Sequence, residues 1–195
     1  MISEPRKSQW DNIQVVILTL NESKNIRLCL DSLPLHASVL IIDSGSSDDT
    51  IEIAQSFNNK LNIDIRTNDF KNYACQRNYA LDYITKPYVL MIDADEIISS
   101  QLIDEIEQSL QKYTELVAMA FPRKNYLGNA LIPTGKDYQT RLFRKGLFKY
   151  AGSIHETLVP VPKNLIYSRN FLYHYTYASI DDYAQKVIKY SKMVA

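Results

Sequence analysis

Apolar residues in this chain fall into short continuous runs, separated by segments with helical spacing. Ile13 to Leu20 is one such run, with consecutive Val and Ile, the composition of a strand buried on both faces. Glu22 to Leu33 carries Ile26, Cys29, Leu30 and Leu33 at helical spacing and is closed by Pro34. Val39 to Ile42 reads as a second strand. Asp48, Asp49 and Thr50 then open a helix carrying Ile51, Ile53, Ala54 and Phe57, and acidic residues suit that end of a helix. Leu61 to Arg66 alternates as a third strand, Phe70 to Ile84 is helical, and Tyr88 to Ile92 is a fourth buried strand. Ser99 or Ser100 caps a helix with Leu102, Ile103, Ile106 and Leu110. Repeated β-α units predict an α/β fold: a mostly parallel sheet with right-handed crossovers and helices on both faces. Ligands of such sheets bind beyond the carboxyl ends of the strands, which gathers Thr19 to Glu22, Asp43 to Asp49 and Asp93 to Glu96 at one edge.

The second half has a different rhythm and predicts a smaller mixed β region. Val117 to Arg123 reads as a strand, and Asn125 to Gly135 is rich in turn residues. Short strands follow at Thr140 to Phe143, Phe148 to Tyr150 and Ile154 to Val159, before the break at Pro160-Val161-Pro162. Phe171, Tyr173, Tyr175 and Tyr177 alternate with Leu172, His174 and Thr176, a strand with one aromatic face. From Ser179, Ile180, Tyr183, Val187, Tyr190 and Val194 mark an amphipathic helix with no capping signal at its end, the pattern of a chain that continues in a longer protein. The expected organisation is one domain over 1–195: a nucleotide-binding half at 1–115, an acceptor-side half at 116–178 and the start of a C-terminal helix at 179–195.

Composition narrows the function classes. Lys plus Arg equals Asp plus Glu at 22 each, so the balance is not that of a general nucleic-acid binder. Two cysteines, Cys29 and Cys75, both inside helical patterns, predict buried thiols in a reducing compartment rather than a disulfide or zinc framework. The polar N-terminus and the lack of a long apolar run predict a cytoplasmic protein, with contact to a membrane surface at most. Fourteen tyrosines suit core boundaries, sugar stacking and interfaces alike.

Asp93-Ala94-Asp95-Glu96 carries the clearest chemistry. On an extended chain Asp93 and Asp95 point the same way, and two carboxylates on one face repel unless something positive lies between them. A hard divalent cation held through oxygen, with a phosphate as a further ligand, fits that arrangement. The same acids also suit a solvated turn that opens the next helix. Asp43-Ser44-Gly45-Ser46-Ser47-Asp48-Asp49-Thr50 offers a carboxylate at a strand end, and equally a capped turn. Arg77, in mid-helix, is either a ligand group or a surface residue.

Four segments, in order and in spacing, resemble glycosyltransferase family 2, the inverting family with the GT-A (Rossmann-like) fold. They are Ile17-Leu18-Thr19-Leu20-Asn21-Glu22, Ile41-Ile42-Asp43 through Thr50, Gln76-Arg77-Asn78, and Leu90 through Glu96. Asp137 through Gly146, followed by Gly152-Ser153-Ile154-His155-Glu156, is similar to the subgroup containing lipopolysaccharide-core β-1,4-glucosyltransferases. The resemblance implies that Thr19, Asn21 and Glu22 line a nucleotide pocket and that Asp43 accepts a hydrogen bond from uracil or its ribose. It further implies that Arg77 lies near the nucleotide, that Asp93 faces ribose or a metal-bound water, and that Asp95 ligates Mg²⁺ or Mn²⁺. The donor implied is a UDP-hexose, the acceptor a saccharide or lipid-linked saccharide.

An inverting transfer also needs a base for the acceptor hydroxyl, and Asp137 and Glu156 are the candidates. Where the family has an acidic pair, this chain has Lys136-Asp137. His155 is either a further metal or phosphate ligand or a structural hydrogen-bonder, and Arg141 and Arg144 suit diphosphate or an anionic acceptor. Two competing readings stand beside the transferase. One is a phosphohydrolase with an aspartate nucleophile, although that chemistry normally follows the first strand. The other is a nucleotide-binding module without turnover.

Overall fold

The structure is a computed structural model that describes residues 8–133, 135, 137–152 and 156–177. Its first half is the expected parallel sheet. Strands β1 (Ile13–Thr19), β2 (Ser38–Asp43), β3 (Asn62–Thr67) and β4 (Tyr88–Asp93) lie in the order β3-β2-β1-β4, with Ile17 of β1 beside Ile41 and Ile92. Central strands have both faces covered, which is why β1, β2 and β4 are apolar almost throughout. Val15, Ile17, Ile41 and Ile92 face one layer, formed by α1 (Ile26–Asp31), α2 (Thr50–Gln55) and, in the chain's later part, α4 (Ser100–Lys112). Val16, Ile42 and Met91 face the other, where α3 (Tyr73–Leu81) packs with Phe143, Phe148 and Tyr150. The edge strand β3 alternates between exposed and half-buried positions and carries Asp64 and Arg66 outward.

The helices are shorter than their apolar spacing predicts, and a cap explains one of them. The pattern from Glu22 yields a helix only from Ile26, and the residues before it are held as a loop, the Glu22 amide by Thr50 Oγ1 at 2.8 Å and the Ser23 amide by Asp48 at 3.2 Å. Asn21 enters this segment at φ 56°. α3 starts at Tyr73 rather than Phe70, since the Asn72 side chain accepts from the Cys75 amide at 2.8 Å. Ser99 caps α4 in the same way. Cys29 is buried as expected, but Cys75 lies on the outer side of α3 and is exposed.

The second half extends the sheet with mixed polarity. It adds β5 (Glu96–Ile98), β6 (Ala118–Leu127), β7 (Ala130–Leu131), β8 (Asp137–Arg144), β11 (Leu165–Tyr167) and β12 (Leu172–Tyr177), giving the order β3-β2-β1-β4-β8-β6-β12-β5; β7 and β11 also pair with β6. β9 (Lys149–Ala151) and β10 (Thr157–Val159) form a separate antiparallel pair. β6 runs on through residues that read as turn, because β12 and β7 pair with it there; the turn comes only at Gly128, φ 55°. The helix expected at 179–195 lies outside the described residues, as does His155.

One connection forces the shape of the sheet. β4 and β5 are joined by Ala94 and Asp95 alone, yet β8, β6 and β12 stand between them in strand order. Four strand steps in a flat sheet would span about 19 Å. The links from Asp93 to Glu96 reach at most about 11 Å. The sheet therefore curls back on itself, and β4, β8, β6 and β5 all direct charged side chains into the curl. Glu96 is fully buried there, 2.5 Å from Arg141 of β8. Removing one member of such a pair leaves an uncompensated buried charge. Arg141→Ala should lower stability by about 3–5 kcal/mol in urea unfolding followed by circular dichroism. Arg144→Ala, on the same strand with an exposed pairing to Glu115, should cost about 0–1 kcal/mol. Equal losses would contradict the buried role of Arg141.

Candidate functional site

The carboxyl ends of β1 and β2 are laced together by side chains. Thr19 and Asp43 are register partners, and Thr19 Oγ1 donates to Asp43 Oδ1 at 3.0 Å. Asp43 also accepts from the Gly45 and Ser46 amides at 2.9 and 2.8 Å and from Ser46 Oγ at 2.5 Å. A carboxylate has roughly four acceptor positions. Thr19 and three donors of its own loop fill that number, so Asp43 organises the turn through Gly45, which sits at φ 91°. Asn21 Oδ1 accepts from the Ser47 amide at 2.8 Å, and the Glu22 carboxylate accepts from Asn25 at 2.8 Å. Gln76, fully buried on α3, donates to Ser44 Oγ and the Asn68 carbonyl, tying the ends of β2 and β3 to the helix. Thr19, Asn21, Glu22 and Asp43 thus share one loop cluster.

A second cluster fills the curl. Asp93, the last residue of β4, is gripped by Arg77 of α3 at 2.8 Å and Arg141 of β8 at 2.6 Å. Arg77 also reaches Glu156 at 2.9 Å. Glu96 accepts from the Asp93 amide at 3.0 Å and lies 3.7 Å from Arg123, which pairs with Asp137 at 2.8 Å. Burial opposes the charge on Asp93, but the guanidiniums of Arg141 and Arg77 outweigh it and hold its carboxyl well below the usual range. For Glu96 burial wins and its carboxyl is raised, with the neighbouring Asp93 adding to the rise. Burial pushes Tyr150, 5.5 Å from Arg77, up to about 12. Asp93 is therefore unsuited to act as a nucleophile, because each of its oxygens is engaged by an arginine.

The Asp-x-Asp geometry differs from the extended arrangement. Ala94 and Asp95 form a turn, so strand alternation ends at Asp93 and the two carboxylates meet different partners. The Asp95 carbonyl accepts from the Tyr175 amide at 3.0 Å, which anchors the turn to β12. That bond brings Asp95 Oδ2 within 3.3 Å of His174 Nε2. His174 Nδ1 lies 2.7 Å from Asn125 Oδ1 of β6. Sequence reasoning missed His174: it read the aromatic face of this strand, whereas the histidine stands on the opposite face, beside the acids. Asn125 was missed as part of a supposed turn, and Arg123, though read as the end of a strand, was not singled out for the site. Their signal was two polar residues two apart, the spacing that puts both on one face of a strand.

The two base candidates differ in their surroundings. Asp137 is held by Arg123 and by Gln139 at 2.7 Å; burial raises its carboxyl, and these bonds outweigh that and lower it. Glu156 is bound by Arg77 through Oε1. Taken together, five carboxylates (Asp93, Asp95, Glu96, Asp137, Glu156) meet three arginines (Arg77, Arg123, Arg141). The cluster carries two more negative than positive charges when His174 is neutral.

The donor chemistry at Asp95 fits a divalent ion. A carboxylate oxygen and an imidazole nitrogen suit Mn²⁺, and Mg²⁺ is commonly held by one or two carboxylates plus substrate phosphate. Adjacent ligands of an octahedral ion with bonds of about 2.1 Å stand roughly 3 Å apart, close to the 3.3 Å found here. Among the described residues no group of three or more His, Cys, Asp and Glu side chains forms a complete metal cage. The remaining positions would fall to water and phosphate.

Comparison with known proteins agrees with this architecture. Residues 14–176 match Glycosyl transferase family 2. The chain is 29% identical over 189 residues to the lipopolysaccharide core biosynthesis glycosyltransferase LpsC of Rhizobium meliloti (strain 1021), covering 94% of this chain and 70% of LpsC. It is 30% identical over 196 residues to an uncharacterized glycosyltransferase of Rickettsia prowazekii (strain Madrid E), covering 92% of this chain and 65% of that protein. The crystal structure of S. aureus TarS 1-349 superposes with a TM-score of 0.66 at 16% identity, covering 84% of this chain and 60% of that one. The fold is GT-A, and the chain belongs to glycosyltransferase family 2.

Proposed function

We propose that this protein transfers a hexose, glucose from UDP-glucose, with inversion onto a saccharide acceptor of lipopolysaccharide or another cell-surface glycan, using Mg²⁺ or Mn²⁺. The observation that carries the proposal is the Asp95–His174 pair at the rim of a cluster with an excess of two negative charges. A divalent ion there would neutralise the charge growing on the leaving diphosphate. The similarity to LpsC supports the glycan class, and a TarS structure in complex with UDP-GlcNAc, TM-score 0.55 at 23% identity, supports a uridine nucleotide.

The chain's own residues have distinct tasks in this reading. Thr19, Asn21, Glu22 and Asp43 shape the loops against which base and ribose rest. Arg77 and Arg141 keep Asp93 ionised and fixed beside the donor. Arg77 Nη1, Arg141 Nε and the Tyr150 hydroxyl are buried donors without a partner among the described residues, and they suit the oxygens of a sugar diphosphate. Asp95 and His174 hold the cation, a role the histidine of the Ile-His-Glu segment was expected to share. Asp137 and Glu156 flank the cluster, and one of them takes the acceptor proton. The acceptor reaches the second half of the fold and is lipid-linked or part of a core saccharide, which brings the protein to a membrane surface. No helix among the described residues is long and apolar enough to cross a membrane.

A panel of nucleotide sugars, scored for donor hydrolysis and transfer, should show UDP-hexose consumption that EDTA abolishes and Mn²⁺ restores. Turnover unaffected by EDTA, or turnover restricted to other nucleotides, would overturn the reading. Asp137→Asn and Glu156→Gln separate the base candidates. The variant lacking the base should lose about 10²–10⁴-fold in kcat with unchanged UDP affinity. Wild-type kcat in both variants would remove both from the role.

A further inference from the structure

Two adjacent strands, β6 and β12, carry a pair of polar groups whose members leave little choice of orientation. Asn125 on β6 is buried and is the register partner of His174 on β12. The carbonyl end of its amide faces β12. There Asn125 Oδ1 lies 2.7 Å from His174 Nδ1, and a carbonyl oxygen accepts only. Nδ1 must therefore carry a proton. In the neutral ring the lone pair is then on Nε2, the atom 3.3 Å from Asp95 Oδ2. A free histidine offers either nitrogen, and the partner of one sets the state of the other.

The register supports a deliberate placement. Arg123 is paired with Asp137, and Asn125 with His174, so two positions on one face of β6 serve the two neighbouring strands. Lys124 points to the opposite side, over Phe171 and Tyr173.

We propose that Asn125 is a positioning residue that fixes the tautomer of His174, presenting its Nε2 lone pair beside Asp95. The inference rests on the cation site proposed above, and the amide does not itself touch substrate or cation.

The test reads the ring directly in the protein without metal or nucleotide. Imidazole ¹⁵N–¹H correlation spectra at pH about 8.5, above the ordinary histidine range, report which nitrogen is protonated. Among the three histidines, His36, His155 and His174, single His→Gln variants assign the signals. The proposal expects Nδ1–H on His174 in the wild type and the Nε2–H tautomer in Asn125→Leu. Asn125→Asp, which still accepts from Nδ1–H, should retain the wild-type tautomer, a rescue that a purely packing role would not produce. A bare Nδ1 in the wild type, or Nδ1–H persisting in Asn125→Leu, overturns it. Electron paramagnetic resonance of Mn²⁺ with UDP gives the second readout. Asn125→Leu should bind the ion about 10–100-fold more weakly than wild type, and unchanged affinity counts against the proposal. If Asn125→Leu does not fold, the wild-type tautomer alone still decides. Wild-type protein that shows Nδ1–H but binds no Mn²⁺ would contradict the cation site and leave the hydrogen-bond assignment standing.

Discussion

Arg141 holds the structure's two halves together at the point where they must meet. Its guanidinium contacts Asp93 on the last residue of the parallel half and Glu96 on the first strand of the mixed half. Only two residues separate those acids along the chain, while three strands separate them across the sheet. Curling solves the geometry and creates a new problem, since the inside of the curl is shielded from water. Acids placed there need counter-charges within the same space. Arg77, Arg123 and Arg141 provide them from α3, β6 and β8.

Such an arrangement is a weak source of net stability, because desolvation offsets much of the attraction between buried ions. Its consequence lies in fixed geometry. Asp93 cannot swing, because both oxygens are held. The turn through Ala94 and Asp95 is pinned at one end by Asp93 and at the other by the bond from the Tyr175 amide to the Asp95 carbonyl. Asp95 is thereby left facing His174, while the other acids are matched with arginines. The ionic cluster thus sorts the acids by role: Asp93 and Glu96 are structural anchors of the site, and Asp95 is the acid paired with an imidazole in place of a guanidinium.

Much of this was legible in the sequence, and for identifiable reasons. Strands buried on both faces announce themselves as continuous apolar runs, so β1, β2 and β4 were read nearly to the residue. The βα order then put Thr19, Asp43 and Asp93 at one edge. What escaped was set by contacts between distant strands. Glu96 reads as an ordinary acid at a helix start, and only the curl makes it the most buried carboxylate of the site. His174 sits among tyrosines whose alternation drew attention to the wrong face. Asn125 stands just before Gly128, and its polarity resembled a loop until pairing with β12 and β7 extended the strand. Helix starts were placed too early where tertiary contacts fix the preceding residues, as Thr50 and Asp48 do for Glu22 and Ser23, or where a cap such as Asn72 sets the first turn, features that periodicity does not register.

Calorimetric titration of UDP into the wild type and into Asp95→Ala, each with and without Mn²⁺, tests the central claim most directly, namely that the fixed acidic turn presents Asp95 to a cation that binds with the nucleotide. The account predicts that Mn²⁺ tightens UDP binding to the wild type and that Asp95→Ala loses this increment while unfolding in urea at a similar midpoint. Equal UDP affinity with and without Mn²⁺ in the wild type, or an undiminished increment in Asp95→Ala, would contradict it.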